Sequence, residues 1–238
     1  MRLAQGLTVV LALTASASLY ARDIDFNYVD VNVGIFDLDA DQSRSDGADS
    51  ISAETDTDSS FYASGAWQPY QGSVGWFTRI HAFAAAGIAK NDLDGSATLS
   101  GVTSSASGDL EVIQARFGVG YHQPLLENLN VYGRITYDYI ELKDIDLGGV
   151  SFDDVDESGI GVETGARWLF ADRFELQAYV RWSDAATLSG DGGDELNTDD
   201  GTFGGVAGRW YFADHWALQV NGEYGETALY GAGVRFTF

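Results

Sequence analysis

The sequence predicts an all-β protein, a closed antiparallel up-and-down transmembrane β-barrel of ten strands. Three observations favour this fold. Apolar and polar residues alternate with a period of two from residue 22 onward, as in strands whose two faces meet different surroundings. Segments rich in Gly, Asp and Ser interrupt the pattern, and the connections are alternately long and short. The final stretch, 228–238, shows the rule best, because one parity is apolar: Tyr230, Ala232, Val234, Phe236 and Phe238.

The polarity of the two faces distinguishes a membrane barrel from a soluble one. A strand with one apolar face is stable at the end of a chain when that face meets lipid and both edges are paired. Soluble barrels such as lipocalins have the opposite arrangement, apolar inside and polar outside. We predict strands at 24–36, 59–68, 74–89, 109–122, 130–143, 157–170, 174–183, 201–212, 216–225 and 228–238. Eight strands are the alternative.

The connections fit a bacterial outer-membrane barrel, which has an even strand number, short periplasmic turns and longer outer loops. The long segments are 37–58, 90–108, 144–156 and 184–200, and the connection at 225–227 is short. With both termini in the periplasm, these five connections all lie outside. They hold 22 of the 36 acidic residues and only Arg44 and Lys90 as bases. The sequence therefore predicts acidic outer loops.

The N-terminus has the pattern of a secretory signal peptide. Arg2 precedes an apolar run at 7–13, and small residues follow as far as Ala21. This run is too short for a membrane anchor helix, which needs about 20 residues. We predict a signal peptide at 1–21, with cleavage after Ala21 or else after Ala17, and a barrel domain at 22–238. The expected location is the bacterial outer membrane.

The composition limits the function classes. The net charge of −23 argues against nucleic acid as a partner. The absence of Cys excludes a disulfide scaffold and any thiolate site. The acidic run that begins at Asp37 lacks the Gly and the final acid of a calcium loop, since Gln42 and Ala48 occupy those positions. We therefore predict no metal site and no cofactor, and expect divalent cations, shared with lipopolysaccharide phosphates, as partners of the acidic loops.

Charged residues concentrate on the parity that faces into the barrel. A small barrel must fill its interior with side chains or water, and Arg pairs well with carboxylates. We expect a lumen network of ion pairs and water, either a structural filling or the lining of a narrow pore. Its predicted members are Arg79, Arg116, Arg134, Arg167, Arg181, Arg209, Arg235, Asp138, Glu163, Glu175 and Glu223.

Aromatic residues concentrate beside the predicted short turns. Amphipathic rings are enriched at the membrane–water interface, so these residues predict an aromatic girdle: Trp67, Trp76, Trp168, Trp210, Trp216, Phe236 and Phe238. Residues 166–178 and 208–220 also form an internal repeat, each copy a strand, a Phe-Ala-Asp turn and a second strand. Either a duplicated hairpin or convergence under the same constraints explains it.

No catalytic site is predicted. The omptin proteases also have ten strands, and their chemistry uses an Asp pair and an Asp–His pair at the outer mouth. Here the three histidines, His81, His122 and His215, fall in the predicted periplasmic half, away from the outer acids that a general base would need. We therefore predict that the protein is not an enzyme.

Four motifs resemble small outer-membrane barrels once described as sulfation-dependent quorum factors, within the OmpA/OmpX-like porin superfamily. They are Phe-Asn-Tyr-Val-Asp at 26–30, Arg-Phe-Gly-Val-Gly-Tyr-His at 116–122, Gly-Val-Glu-Thr-Gly-Ala-Arg at 161–167 and Gly-Val-Arg-Phe-Thr-Phe at 233–238. The resemblance covers roughly the whole mature chain and implies no established activity. The last strand also resembles the assembly signal of outer-membrane barrels, which implies that the barrel assembly machinery recognises the strand ending at Phe238. We expect a structural or surface-interaction role, with a narrow gated pore as the alternative.

Overall fold

A computed structural model describes residues 24–38, 42–46, 49–69, 79–99, 102–143, 146–147, 150–151, 154–186, 201–225 and 227–238. The predicted signal peptide and Trp76 lie outside these ranges. Within them the chain forms thirteen strands: β1 Tyr28–Leu38, β2 Gln42–Asp46, β3 Asp49–Trp67, β4 Ile80–Leu99, β5 Val102–Leu126, β6 Leu129–Lys143, β7 Asp146–Leu147, β8 Val150–Ser151, β9 Val155–Phe170, β10 Phe174–Ser183, β11 Thr202–Tyr211, β12 Trp216–Tyr224 and β13 Thr227–Thr237. A short 3₁₀ turn follows β10 at Asp184–Ala186.

Ten of these strands close into an antiparallel barrel. Each barrel strand pairs with its neighbours in the order β1, β3, β4, β5, β6, β9, β10, β11, β12, β13, and β1 pairs with both β3 and β13. Asp30, for example, lies opposite Arg235 of β13 and Ser64 of β3. Closure leaves no open edge in the wall, as a barrel within a membrane requires. The prediction of ten strands is confirmed, and eight is excluded.

Three strands extend much further than predicted. β3 begins at Asp49, β4 runs to Leu99 and β5 begins at Val102, so most of the segments predicted as loops at 37–58 and 90–108 is strand. The prediction took these stretches as loops because they are rich in Asp, Ser, Thr and Gly, a composition typical of loops. Backbone pairing holds them together instead, helped by the hydroxyl contact of 2.9 Å between Thr98 and Thr103.

The barrel has two distinct ends. The short-turn end carries the turns at 127–128, 171–173 and 212–215, together with Ile24 and Phe238. The long-hairpin end carries the extensions of β3, β4 and β5, and β2 pairs with the first of these. The register between β3 and β4 shifts between Thr57 and Ser60. Such an irregularity bends a strand, and it lies where β3 passes from the extension into the barrel.

The two faces of the wall have opposite polarity. Apolar residues on the outer parity are exposed on almost every barrel strand, for example Val33, Ile135, Val162, Val206 and Val220. The inward residues are buried, and polar side chains outnumber apolar ones among them. Among the described residues, no helix has the length and apolar character needed to cross a bilayer. A wall with an apolar outside and a polar inside is that of a transmembrane barrel.

The internal repeat is one hairpin used twice. Leu169 pairs with Glu175 across the β9–β10 turn, and Tyr211 pairs with Ala217 across the β11–β12 turn, at equivalent positions of the two copies. The turn backbones nevertheless differ. Ala171 and Asp172 have φ angles of 49° and 56°, in the left-handed region, and are the described non-glycine residues with positive φ. The same Phe-Ala-Asp sequence therefore adopts two turn conformations.

Candidate functional site

The candidate site is the lumen network inside the barrel. Its charged members stand on the inward parity of their strands, and inward glycines lie opposite the longest of them. Gly120 lies across from Arg134, and Gly205 lies across from Glu223. A side chain added at Gly120 would collide with His81 and Arg134, and one added at Gly205 would collide with Tyr179. The glycines therefore provide the volume that the long polar side chains occupy.

Glu175 is the hub of the layer nearest the short-turn end. Its Oε1 accepts hydrogen bonds from Nε of Arg167 at 2.8 Å and from Nη1 of Arg209 at 2.6 Å. Its Oε2 accepts from Nη2 of Arg167 at 3.0 Å and from the hydroxyl of Tyr211 at 3.0 Å. Nη1 of Arg235 lies 3.9 Å from Oε1. One carboxylate that is only 2% exposed thus faces three guanidinium groups from three strands.

A second pair joins the first and last strands of the barrel. Arg235 on β13 donates from Nε and Nη2 to the two carboxylate oxygens of Asp30 on β1, each at 2.6 Å. Both side chains are buried, and Ser64 of β3 donates to the same carboxylate at 3.2 Å. Bidentate Arg–carboxylate pairs are among the stronger and more specific hydrogen-bonded contacts. This pair therefore fixes the register at which β1 and β13 meet.

A further layer extends from His81, near the short-turn end, toward the long-hairpin end. Arg134 bonds Glu163 at 3.2 Å, His81 at 3.1 Å and the hydroxyl of Tyr28 at 3.2 Å. Arg181 bonds Glu223 at 2.7 Å, and its Nη1 lies 3.5 Å from Asp138. The network therefore runs across the barrel and along its axis. So many buried charges are stable close together only because each carboxylate has cationic partners.

Two arginines predicted for the network have different surroundings. Arg79 precedes β4 at the short-turn end and bonds the side-chain oxygen of Gln123. Arg116 donates Nη2 to the hydroxyl of Tyr62 at 2.9 Å, while its Nη1 is buried without a hydrogen-bond partner in the described part of the chain. Asp138 lies opposite Arg116 in the register of β5 and β6, and its Oδ1 is also unbonded there. These two groups mark the least satisfied part of the network.

A small polar cavity adjoins Arg116. Its volume is about 70 Å³, and Arg134, Glu163, Glu223 and Asn221 also line it. A water molecule needs roughly 10–15 Å³ of such volume and two or more polar partners, so the cavity can hold several waters. Nη1 of Arg116 and Oδ1 of Asn221 are unbonded groups that such waters would satisfy.

Sequence reasoning missed the aromatic side chains of the lumen. Four buried guanidinium groups lie over rings: Arg235 over Tyr28 at 3.6 Å, Arg181 over Phe203 at 4.0 Å, Arg134 over Phe83 at 4.3 Å and Arg167 over Phe26 at 4.6 Å. Cation–π contacts compensate part of the hydration that a buried guanidinium loses. Tyr28, Phe83 and Phe203 share the inward parity of the arginines, and that shared parity is the signal that could have identified them.

The aromatic girdle surrounds the short-turn end. Trp67, Trp168, Trp210, Trp216 and Phe238 are exposed on the outer surface, and Phe236 is half-buried. Neighbouring rings touch, with centroid distances of 4.9 Å between Trp216 and Phe236 and 5.3 Å between Trp168 and Phe170. These rings form separate clusters of touching aromatic side chains beside the short turns.

The histidines and the acidic hairpins lie at opposite ends. His81 and His122 are buried in the lumen near the short-turn end, and His215 lies in a short turn. At the long-hairpin end, exposed Asp92 of β4 lies opposite exposed Asp109 of β5. In the described ranges, no group of three or more His, Cys, Asp or Glu side chains is arranged to hold a metal ion.

The closed ten-stranded wall matches a known architecture. The crystal structure of the outer membrane protease OmpT from Escherichia coli aligns with a TM-score of 0.55 and 9% identity, covering 94% of this chain and 99% of that one. This chain has the fold of an outer-membrane β-barrel. Two further structures align along most of their length: the outer membrane protein OprG from Pseudomonas aeruginosa (TM-score 0.49, 12% identity, 92% and 98% covered) and the KdgM porin (0.43, 10%, 88% and 99%).

At these identities the likeness extends to the fold alone. No protein-family model matches the sequence, and no curated protein matches it. The resemblance to sulfation-dependent quorum factors therefore stays an expectation from the four motifs, as does the absence of enzymatic activity.

Proposed function

We propose that this protein is a non-enzymatic component of the bacterial outer membrane whose barrel holds acidic hairpins at the cell surface. In this orientation the short-turn end faces the periplasm, as in other outer-membrane barrels. The lumen then has a structural role, and the surface role belongs to the extensions of β3, β4 and β5. The predicted signal peptide would take the chain across the inner membrane.

The observation that carries this proposal is the hydrogen-bonded filling of the lumen. Arg134, Arg167, Arg181, Arg209 and Arg235 are all buried and bonded to carboxylates from other strands. An ion crossing the barrel would have to displace these pairs, and breaking a buried pair costs about 3–5 kcal/mol. These five pairs do not need a continuous water path, because side chains of the barrel satisfy their charges.

The expected partners follow from the two ends. Acidic hairpins attract divalent cations, which phosphate groups of lipopolysaccharide also bind. Asp92 and Asp109 lie directly opposite each other, and like charges in such a position destabilise a strand pair. A bound divalent cation would remove this repulsion. At the other end, the apolar strand that ends at Phe238 fits recognition by the barrel assembly machinery.

A narrow gated pore is the second candidate function, favoured by the polar cavity beside Arg116. The unbonded Nη1 of this residue and the nearby amide of Asn221 offer a stopping place for a small solute or ion. In this case the ion pairs around the cavity would set the radius and the selectivity of the pore.

Single-channel recording on the refolded protein in planar bilayers separates the two functions. A structural lumen predicts no stepwise conductance above leak. Recordings of Arg116→Ala provide a matched comparison, because this arginine adjoins the cavity and has no described carboxylate bond. Stepwise conductance of the original chain that changes in Arg116→Ala would overturn the structural role and establish the pore.

A further inference from the structure

The four residues before β1 fold into the barrel instead of continuing its wall. The side chain of Phe26 is fully buried, at 0% exposure, and Asn27 is buried beside it. Ile24 packs against an apolar cluster of Leu169, Tyr211 and Ala217 at the short-turn end. The sequence prediction began the first strand at 24, where Ile24 and Phe26 break the period-two phase and indicate a bulge or an irregular start. The start at 24 was wrong, since β1 begins at Tyr28, and the phase break marks a separate segment.

Phe26 occupies an aromatic socket formed by His81, His122 and Arg167. Its ring stacks on His122, with centroids 4.1 Å apart and an interplanar angle of 8°, and lies 4.7 Å from the ring of His81. The guanidinium of Arg167 lies over the same ring at 4.6 Å and donates from Nη1 to the backbone oxygen of Asp25 at 2.7 Å. The socket thus recognises one aromatic side chain and the carbonyl that precedes it.

The segment is attached to the barrel by few bonds. Tyr28 already pairs with Thr237 and with Ala66, so the wall is closed without residues 24–27. Besides the bond to Arg167, the described hydrogen bonds with the rim are two. The amide of Phe238 donates to the backbone oxygen of Asn27 at 3.2 Å, and the amide of Gln68 donates to the side-chain oxygen of Asn27 at 2.7 Å. Departure of the segment breaks no strand pair.

Two groups in the socket would gain from that departure. Nδ1 of His81 and Nδ1 of His122 are buried and have no hydrogen-bond partner within the described residues. Buried polar atoms are normally satisfied, and water entering an empty socket would reach both nitrogens. The two unbonded nitrogens thus lower the free-energy cost of removing residues 24–27 from the socket, while stacking and the cation–π contact on Phe26 favour their bound position.

We propose that residues 24–27 form a plug that docks into this socket and leaves it while the ten-stranded barrel stays closed. The plug then controls access to the lumen from the short-turn end, and the socket is a binding site for an aromatic residue of an extended peptide, occupied here by the chain's own segment. This inference concerns access to the mouth and does not depend on whether the whole lumen conducts.

The rate of thiol labelling at Ala217→Cys tests the plug. The chain contains no Cys, so the introduced thiol is the single reactive site, and position 217 is fully buried against Ile24. We expect slow labelling by a small water-soluble thiol reagent in the refolded barrel. Phe26→Ala should raise the rate by roughly tenfold or more, because it removes the stacking and cation–π contacts. Ala66→Cys, also buried and inward, is a second probe.

Phe36→Ala is the matched control, since Phe36 is another buried inward phenylalanine but lies at the opposite end of the lumen. It should leave the labelling rate at position 217 unchanged. Ala213→Cys, in an exposed short turn, should react at one rate with and without the Phe26→Ala substitution. Equal labelling rates at position 217 with and without Phe26→Ala would overturn the plug. Two outcomes would show that the plug does not move independently of the barrel. One is an equal acceleration of labelling at position 217 in Phe36→Ala, and the other is a labelling rate equal to the rate of global unfolding.

Discussion

Glu175 shows most clearly how burial determines the strength of a charged contact in this barrel. It is 2% exposed and faces Arg167, Arg209 and Arg235. Removing its charge would leave three buried guanidinium groups with less compensation, and uncompensated buried charge is costly. The pair of Glu141 and Lys143, 3.1 Å apart at the long-hairpin end, is partly exposed, and exposed pairs contribute at most about 1 kcal/mol.

We expect Glu175→Gln to lower the free energy of unfolding by about 3–5 kcal/mol, and Glu141→Gln to lower it by less than about 1 kcal/mol. Urea titration of the refolded protein in lipid vesicles measures both. The substitution is the same in the two variants, so the comparison isolates the effect of burial. Equal losses would contradict a hub role for Glu175.

The sequence predicted the charged residues of the lumen but not their partners. Parity places Arg167 and Glu175 inside, yet it does not predict that Glu175 would serve three arginines while Arg116 would bond Tyr62. Partner choice depends on the stagger between strands and on the reach of each side chain. Both are properties of the closed barrel, which a single strand's pattern does not contain.

At the scale of the element, the two copies of the repeated hairpin provide a natural comparison. Both have one register, but Ala171 has a φ of 49° in the first turn, whereas Ala213 has no positive φ in the second. A residue with a Cβ atom in the left-handed region is strained by about 1–2 kcal/mol, and glycine is not.

Ala171→Gly should therefore raise the free energy of unfolding by up to about 1 kcal/mol. This value already subtracts the opposing effect of the entropy that glycine adds to the unfolded chain. Ala213→Gly should lower it by about 0.5–1 kcal/mol, because only the entropy acts there. Urea titrations of the two variants, run together with the original chain, provide the measurement. Changes of the same sign at both positions would show that the backbone difference between the turns has no energetic effect.

The length of an element was predicted well where its two faces contrast fully and poorly where its composition is that of a loop. β10, predicted at 174–183, has those bounds in the structure, because its faces contrast fully: Leu176 and Val180 are exposed, and Glu175 and Arg181 are buried. β4 runs ten residues further than predicted, to Leu99. Residues 90–99 are rich in Asp, Ser, Thr and Gly, a composition that indicates a loop, and their pairing with β3 and β5 is what shows that they are strand.

At the scale of the whole molecule, the apolar outer surface is the property that suits the barrel to a lipid bilayer. Val220 lies on the outer face of β12 between Trp216 and Tyr224, and is 62% exposed. An Arg at such a position costs about 2–4 kcal/mol at the middle of a bilayer and about 0–1 kcal/mol near its edge. On a soluble protein the same exposed substitution would be nearly neutral.

We expect Val220→Arg to lower the free energy of unfolding in lipid vesicles by about 2–4 kcal/mol, and Leu125→Arg to change it by at most about 1 kcal/mol. Leu125 is similarly exposed but lies at the short-turn end, next to the β5–β6 turn. Unfolding titrations in vesicles measure the difference. A neutral Val220→Arg would contradict a lipid-facing surface at this position.

The sequence by itself determined the number of barrel strands, the direction that side chains face in the regular barrel strands and the aromatic residues beside the short turns. These follow from local alternation, since adjacent residues of a strand point to opposite faces. Only the tertiary structure decided which carboxylate each arginine meets, how far the hairpins extend and where residues 24–27 lie. Phe26 illustrates the reason: its break in parity is visible in the sequence, but its socket consists of His81, His122 and Arg167, which only closure of the barrel brings together.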